Sequence, residues 1–136
     1  MQMEDAAEAI HQHFNAEWAE HTPICLGNEV HSEPGAPWVR FTLVPSTREQ
    51  ATIGGPGNKL FESIEFAIVQ IFSPPDAGDR RLRQLQQRAL DVFEGRSVSV
   101  GSETIHFFDV EPEREAEETN WLAGSVTAKC RYQERK

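Results

Sequence analysis

The segment LFESIEFAIVQIF, residues 60–72, decides the fold, because its hydrophobic side chains alternate with a period of two. This period is typical of a β-strand, whose successive side chains point to opposite faces of a sheet. The two predicted faces are Ile64, Phe66, Ile68 and Phe72 on one side and Ser63, Glu65, Ala67, Val69 and Ile71 on the other. The second half is apolar on both faces, which predicts a strand in the middle of the sheet.

A turn and a second helix follow this strand. The segment SPPDAGD, residues 73–79, ends the strand because proline cannot donate to a ladder, and Asp76 or Asp79 is expected to cap the helix. Gly95 is well placed to end that helix. Its predicted buried face is Leu82, Leu85, Ala89, Val92 and Phe93.

The segments before the central strand predict a helix and a second strand. Residues 3–20 place an apolar stripe on one side of a helical wheel, and the acidic residues fall outside it. The stripe consists of Met3, Ala7, Ile10, Phe14 and Trp18. Residues 37–44, PWVRFTLV, alternate as a half-buried strand, and ICLGNEV, residues 24–30, is expected to supply a short extended piece.

The C-terminal third predicts three strands. They are SVSV at 97–100, TIHFFDV at 104–110 and WLAGSVTAKCRY at 121–132, with an acidic loop EPEREAEETN at 111–120. The predicted order is α-β-β-α-β-β-β in a single domain, residues 1–136. We therefore expect an α+β fold in which a mixed or mostly antiparallel sheet packs against two helices.

Composition excludes several classes of function. The chain is 38% hydrophobic and 26% charged, as expected for an ordinary soluble globular protein. Its net charge of −9 predicts no tight binding to nucleic acid. Two cysteines, Cys25 and Cys130, make no disulfide framework, which favours a reducing compartment. The acidic N-terminus and the lack of an 18-residue apolar run predict neither export by a signal peptide nor membrane insertion.

The glycine-rich segment ATIGGPGNK, residues 51–59, resembles a phosphate-binding loop only superficially. A Walker loop needs Ser or Thr after its lysine and leads into a helix, whereas Lys59 precedes Leu60 and a predicted strand. We expect instead a mobile connection over residues 45–59, in which the glycines supply unusual backbone angles. This connection is longer than a hairpin needs, which indicates a role in docking.

Enzymatic and metal sites find little support in the sequence. His11 and His13 point to nearly opposite sides of a helix, and the workable spacing of His13 and Glu17 lacks a predictable third ligand. No G-x-S-x-G motif is present, and Cys130 is expected to be a small core residue. The clustered glutamates are interpreted as a solvated loop: Glu111, Glu113, Glu115, Glu117 and Glu118. We therefore predict no catalytic residue, metal or cofactor.

The two predicted helices differ in charge. Residues 1–21 contain five acidic residues and no Lys or Arg, whereas the second helix exposes Arg80, Arg81, Arg83 and Arg88. These are either two solvated faces or complementary faces of neighbouring subunits. A contact between different surfaces propagates and closes into a ring when the rotation permits, so ring assembly is a concrete hypothesis.

Four segments in this order resemble the tail terminator proteins of long-tailed bacteriophages and their prophages. They are AAEAIHQHFNAEWAEHTP, PWVRFTLVPSTREQATIGG, FAIVQIFSPPDAGD and ALDVFEGR. The resemblance spans residues 6–132 and is weakest in EPEREAEETN. It implies a non-enzymatic protein that forms a hexameric ring on the completed tail tube, ends polymerisation of the tube protein and provides the surface for the head connector.

The resemblance places the sites of interest at interfaces and the protein in the host cytoplasm during assembly and then in the virion tail. The predicted subunit or tail-tube contacts are Arg48, Gln50, Thr52, Lys59, Arg80, Arg81 and Arg83. Two alternatives remain open at this stage. One is a head–tail connector component, and the other is a small α+β ligand-binding module unrelated to virions, which would need a deep apolar pocket.

Overall fold

The computed structural model describes residues 1–19, 21–26, 36–75, 78–115 and 121–136. In these ranges the chain forms two helices, α1 (Met3–Trp18) and α2 (Gly78–Phe93). The strands are β1 (Ile24–Leu26), β2 (Trp38–Gln50), β3 (Leu60–Ser73), β4 (Ser97–Val100), β5 (Glu103–Arg114) and β6 (Leu122–Arg135). The predicted α+β class is confirmed.

All six strands belong to one sheet with the order β1-β2-β3-β6-β5-β4. The pair β1–β2 is parallel and the other pairs are antiparallel, so the sheet is mixed, as predicted. β3 pairs with β2 on one side and with β6 on the other, from Leu60 opposite Arg135 to Ser73 opposite Leu122. The strand predicted to be central is therefore central.

Both helices pack against the same face of the sheet. On β3 this face presents Ala67, Val69 and Ile71, which are fully buried. Phe14 of α1 stacks on Phe41 of β2, with ring centroids 4.3 Å apart and planes 4° from parallel. Side chains of both helices and of the sheet join in one hydrophobic cluster, so the core lies between the helix layer and this face.

The two helices follow their predicted patterns to different degrees. In α2 the buried residues are Leu82, Leu85, Ala89, Val92 and Phe93, as predicted. Gly95 follows with φ of +67°, a conformation that glycine adopts without steric cost, which explains why the helix ends here. In α1 the prediction is wrong for the first turn, because Ala6 is buried while Met3 is 45% exposed. Met1 instead fills this end of the core, and its ammonium group contacts Glu103 at 2.9 Å.

The structure corrects two strand boundaries and adds one strand to the predicted order. The added strand is β1, which lies in the segment ICLGNEV that was expected to supply a short extended piece. β2 continues to Gln50, because a bulge between Pro45 and Thr47 accommodates the proline without ending the strand. β5 continues to Arg114 through a second bulge between Phe108 and Glu111, so the first four residues of the predicted acidic loop belong to a strand. Residues 116–120 of that loop and Asp76 lie outside the described residues.

The stacked aromatic core predicts a large cost for truncating Phe14. Because this side chain is fully buried against Phe41, Phe14→Ala should lower the free energy of unfolding by about 3–5 kcal/mol in urea titrations. The control is Val44→Ala, a 40% exposed position on the uncovered face, where the loss should stay below about 1 kcal/mol. Equal losses in the two variants would contradict the proposed core.

Candidate assembly interface

The end of β2, the start of β3 and their connection form a segment that we call the arm, which we define as residues 47–64; β6 pairs with its β3 side. The amide of Ala51 donates to the carbonyl of Leu60 at 2.7 Å, and the amide of Leu60 donates to Thr52 Oγ1 at 2.9 Å. Lys59 and Lys136 exchange two backbone hydrogen bonds of 2.7 Å each. The connection therefore spans residues 51–59 and is held at its base, which corrects the expectation of a longer mobile connection over residues 45–59.

Arg48 anchors the arm from the helix side of the sheet. The bulge at Pro45 shifts the alternation of β2 by one residue, which aligns Arg48 with Ser63. Its Nη1 donates to Ser63 Oγ at 2.8 Å, and its Nη2 donates to Glu134 Oε1 at 2.5 Å. The ion pair with Arg48 holds the pKa of Glu134 below its usual range. These contacts assign Arg48 a role in bracing the arm.

The tip of the arm presents an apolar residue to solvent. Ile53 is 100% exposed and is followed by the turn that contains Gly54 and Gly57. A side chain at Gly54 would come within 2.8 Å of the carbonyl oxygen of Asn58, and Gly57 has φ of +83°. The glycines are therefore required by the turn, and Gln50 closes it further by donating to the carbonyl of Thr52 at 2.9 Å.

The three arginines of α2 that were predicted as contact residues, Arg80, Arg81 and Arg83, fall into two groups. Arg83 donates to Asp79 at 2.6 Å, one turn away, and Asp79 also pairs with Arg114. The hydrogen bond from Arg83 is the main cause that lowers the pKa of Asp79. Asp79 thus lies inside the first turn of α2 rather than before it, and its carboxylate is engaged by these side chains.

Arg80 and Arg81 form the second group. Arg80 is exposed and Arg81 is half-buried, and neither forms an ion pair within the described ranges. Their guanidinium groups are therefore not engaged by carboxylates of the described residues. Of the predicted contact residues, Arg48, Gln50, Thr52 and Lys59 lie together on the arm, whereas Arg80, Arg81 and Arg83 lie on α2.

The face of the sheet opposite the helices carries apolar and basic side chains together. Within the described part of the chain, no helix covers it. Its half-buried or exposed side chains include Val44, Ile64, Phe66, Ile68 and Phe108. Lys129 and Arg131 lie over the ring of Phe108, 6.0 and 5.0 Å from its centroid. We call this surface the open face.

Most titratable side chains named in the sequence analysis have structural partners. His13 donates from Nε2 to the carbonyl of Val92 at 2.8 Å. His11 packs edge-on against Phe41 at 5.1 Å, and burial lowers its pKa. Cys130 is fully buried, and burial raises its pKa to about 12, so it is a core residue as predicted. Among the described residues, no three potential ligands cluster as a metal site would require.

The sequence analysis missed a buried polar group at the base of the arm. Glu65 is 4% exposed and accepts a hydrogen bond of 2.6 Å from the hydroxyl of Tyr132, which is 1% exposed. Burial and the contact with Glu65 raise the pKa of Tyr132. A signal was present, because Glu65 interrupts the apolar face of β3 on which Ala67 and Val69 follow.

The surface of the protein has several clefts. A cleft of about 690 Å³ is lined by polar residues, including Glu62, His106 and Arg131. A smaller pocket of about 180 Å³ lies beside Glu65 and is bounded by Met3 and Pro45. Small-molecule sites usually occupy roughly 300–1,000 Å³ and are mostly apolar, and neither of these two clefts combines that volume with that lining. A third cleft, of about 520 Å³, has a mostly apolar lining that includes Ala7, Phe41 and Leu43. In the described part of the chain, neither helix is long and apolar enough to cross a membrane.

The ion pair between Arg48 and Glu134 predicts a pH-dependent contribution to stability. Because the pKa of Glu134 is lower in the folded state than its ordinary value of 4.5, the contribution is complete above pH 4.5 and is lost as the pH falls through the folded-state pKa. The difference in unfolding free energy between the wild type and Glu134→Gln should therefore shrink in acid. Urea titrations at several pH values measure it, with Glu49→Gln on the exposed part of β2 as control. A difference that stays constant into acid would refute the assignment.

Comparisons with known proteins identify the fold alone. No protein-family model matches the chain, and no curated protein matches it. A solved structure that carries no functional name is similar to it, with a TM-score of 0.65 and 13% sequence identity, over 100% of this chain and 96% of the other. The chain therefore shares its architecture with that protein over nearly the full length of both.

Proposed function

We propose that this protein is the subunit of a phage or prophage tail terminator, a hexameric ring that caps the tail tube, ends its polymerisation and offers a surface to the head connector. The proposal makes the protein structural and not enzymatic, and places it in the host cytoplasm during assembly and in the tail of the virion. The observation that carries it is the braced arm with Ile53 fully exposed at its tip.

The arm has the properties of a docking element. A fully exposed isoleucine contributes no burial free energy to the isolated chain. Burial of an aliphatic side chain against a partner contributes about 1.5–3 kcal/mol to the free energy of binding. Because hydrogen bonds fix the base of the arm, little conformational freedom is lost there on binding. A braced arm projecting from each subunit of a ring would give six equivalent contacts with the end of a tube.

The remaining surfaces fit assembly between copies. The open face combines apolar side chains with Lys129 and Arg131, while the outer side of α1 is acidic, with Glu4 and Asp5 in its first turn. Two different complementary surfaces on one subunit favour a heterologous contact, which closes into a ring when the rotation permits. This is the geometry that a terminator needs.

The charge of the chain suits a channel for DNA. A ring through which the genome passes must not hold phosphate groups, and a net charge of −9 repels them. The acidic residues Glu111 and Glu113 extend along β5, so a part of this charge is carried by the sheet itself.

The test is the length of tail tubes assembled in the presence of the protein. Purified tail tube protein of the same phage is allowed to polymerise with the wild type, with Ile53→Asp or with Ile53→Val, and lengths are measured by electron microscopy. We expect the wild type and Ile53→Val to stop growth, because both present an aliphatic tip. Ile53→Asp should fail, since a carboxylate would be desolvated at the contact.

Circular dichroism must show that Ile53→Asp is folded, which its full exposure predicts. Tubes of unchanged length with the wild type would overturn the terminator assignment. If the wild type binds purified head connector but never the tube, the protein is a connector component instead. If Ile53→Asp stopped tube growth as well as the wild type does, Ile53 would not be part of the contact with the tube. That result would not contradict assembly of the subunits into a ring.

A further inference from the structure

The pocket beside Glu65 contains a carboxylate that has no cation as partner. Glu65 is 4% exposed, and its Oε2 accepts the hydrogen bond from Tyr132. Within the described residues no Lys, Arg or His forms an ion pair with it. Arg48 lines the same pocket, but its two Nη atoms are bound to Ser63 and Glu134. Buried carboxylates in proteins are normally paired, so Glu65 can accept a further, cationic partner.

The shape of the pocket defines what would supply that charge. Its volume is about 180 Å³, below the usual range of small-molecule sites but sufficient for one side chain. Met3, Pro45 and Ile64 form apolar walls, and Glu65 lies among them. A group that fits must combine an aliphatic stem with a cationic end, which describes the side chains of lysine and arginine.

We propose that this pocket binds the side chain of a lysine or arginine presented by a partner protein. The aliphatic stem packs between Met3 and Pro45, and the cationic end donates a charge-assisted hydrogen bond to Glu65. Tyr132 keeps the carboxylate oriented through its own hydrogen bond, and Arg48 braces the pocket wall through Ser63. The site is independent of the terminator proposal, because it requires only a cationic side chain.

The binding test uses a matched pair of probes. Nα-acetyl-lysine methylamide carries the cation, and Nα-acetyl-norleucine methylamide carries only the stem. The chain has two methionines, so a methyl-¹³C methionine spectrum contains one signal at the pocket, from Met3, and one in the core, from Met1. The lysine probe should shift the Met3 signal saturably and leave the Met1 signal in place. The norleucine probe should bind at least about tenfold more weakly.

The variants test the role of the carboxylate. Glu65→Gln keeps the size of the side chain but removes its charge, so affinity for the lysine probe should fall at least about tenfold. Glu62→Gln makes the same change three residues earlier on β3 and outside this pocket, and this variant should bind the lysine probe as the wild type does. Equal binding of the two probes to the wild type, or unchanged affinity in Glu65→Gln, would overturn the proposal. The comparison of the two probes uses only the wild type, so it tests the proposal even if Glu65→Gln does not fold.

A second experiment identifies which protein supplies the cationic side chain. Arg80 and Arg81 of another copy are candidates, because they have no ion pair within the described part of their own chain. Self-association is followed by sedimentation velocity with and without saturating lysine probe. If the probe and Arg80→Gln/Arg81→Gln each dissociate the assembly, the cation comes from a second copy. If binding of the probe leaves self-association unchanged, the site serves a different protein.

Discussion

The packing of two helices onto one face of β3 and its neighbours is the constraint on which the structure depends. Phe14 is stacked on Phe41, and Phe93 lies 6.4 Å from the same ring, so the two helices meet over β2 at one aromatic cluster. Because Ala67 on β3 is small and fully buried, the helices approach the sheet closely. One face of the sheet is thereby buried against the helices, while the opposite face buries only the hydrophobic cluster of Cys25, Trp38, Phe72 and Ala123 among the described residues. The surfaces left for contact are the rest of that face, the edges, the arm and the outer sides of the helices.

The arm is stabilised mainly by polar contacts and not by the hydrophobic core. Residues 44–50 of β2 are exposed, so the hydrophobic core does not continue along this part of the strand. Polar contacts replace the missing core there, chiefly the bonds of Arg48 with Ser63 and Glu134. The buried hydrogen bond between Tyr132 and Glu65 is a further polar contact, and it lies between the hydrophobic core and the arm. The bulge at Pro45 is essential, because it turns Arg48 toward this network.

Sequence periodicity predicted the elements whose burial is regular. The face of α2 and the central position of β3 were both predictable, because their apolar residues repeat at a fixed spacing. The extension of β2 was not, because Pro45 signals an end of a strand unless a bulge at a sheet edge accommodates it. The first turn of α1 was misassigned because Met1, not Met3, fills the core at that end. The pairing of Glu65 with Tyr132 joins residues 67 positions apart, which no local pattern reveals.

The interface residues predicted from sequence lie in two places, the arm and α2, and the structure adds Ile53 and the open face to them. The proposed ring would explain why one subunit carries several different surfaces suited to contact. Native mass spectrometry over a range of protein concentrations, with negative-stain imaging of the largest species, tests it most directly. The account predicts a hexamer that appears as a ring with an open channel. A monomer at every concentration, including in the presence of tail tube ends, would contradict it.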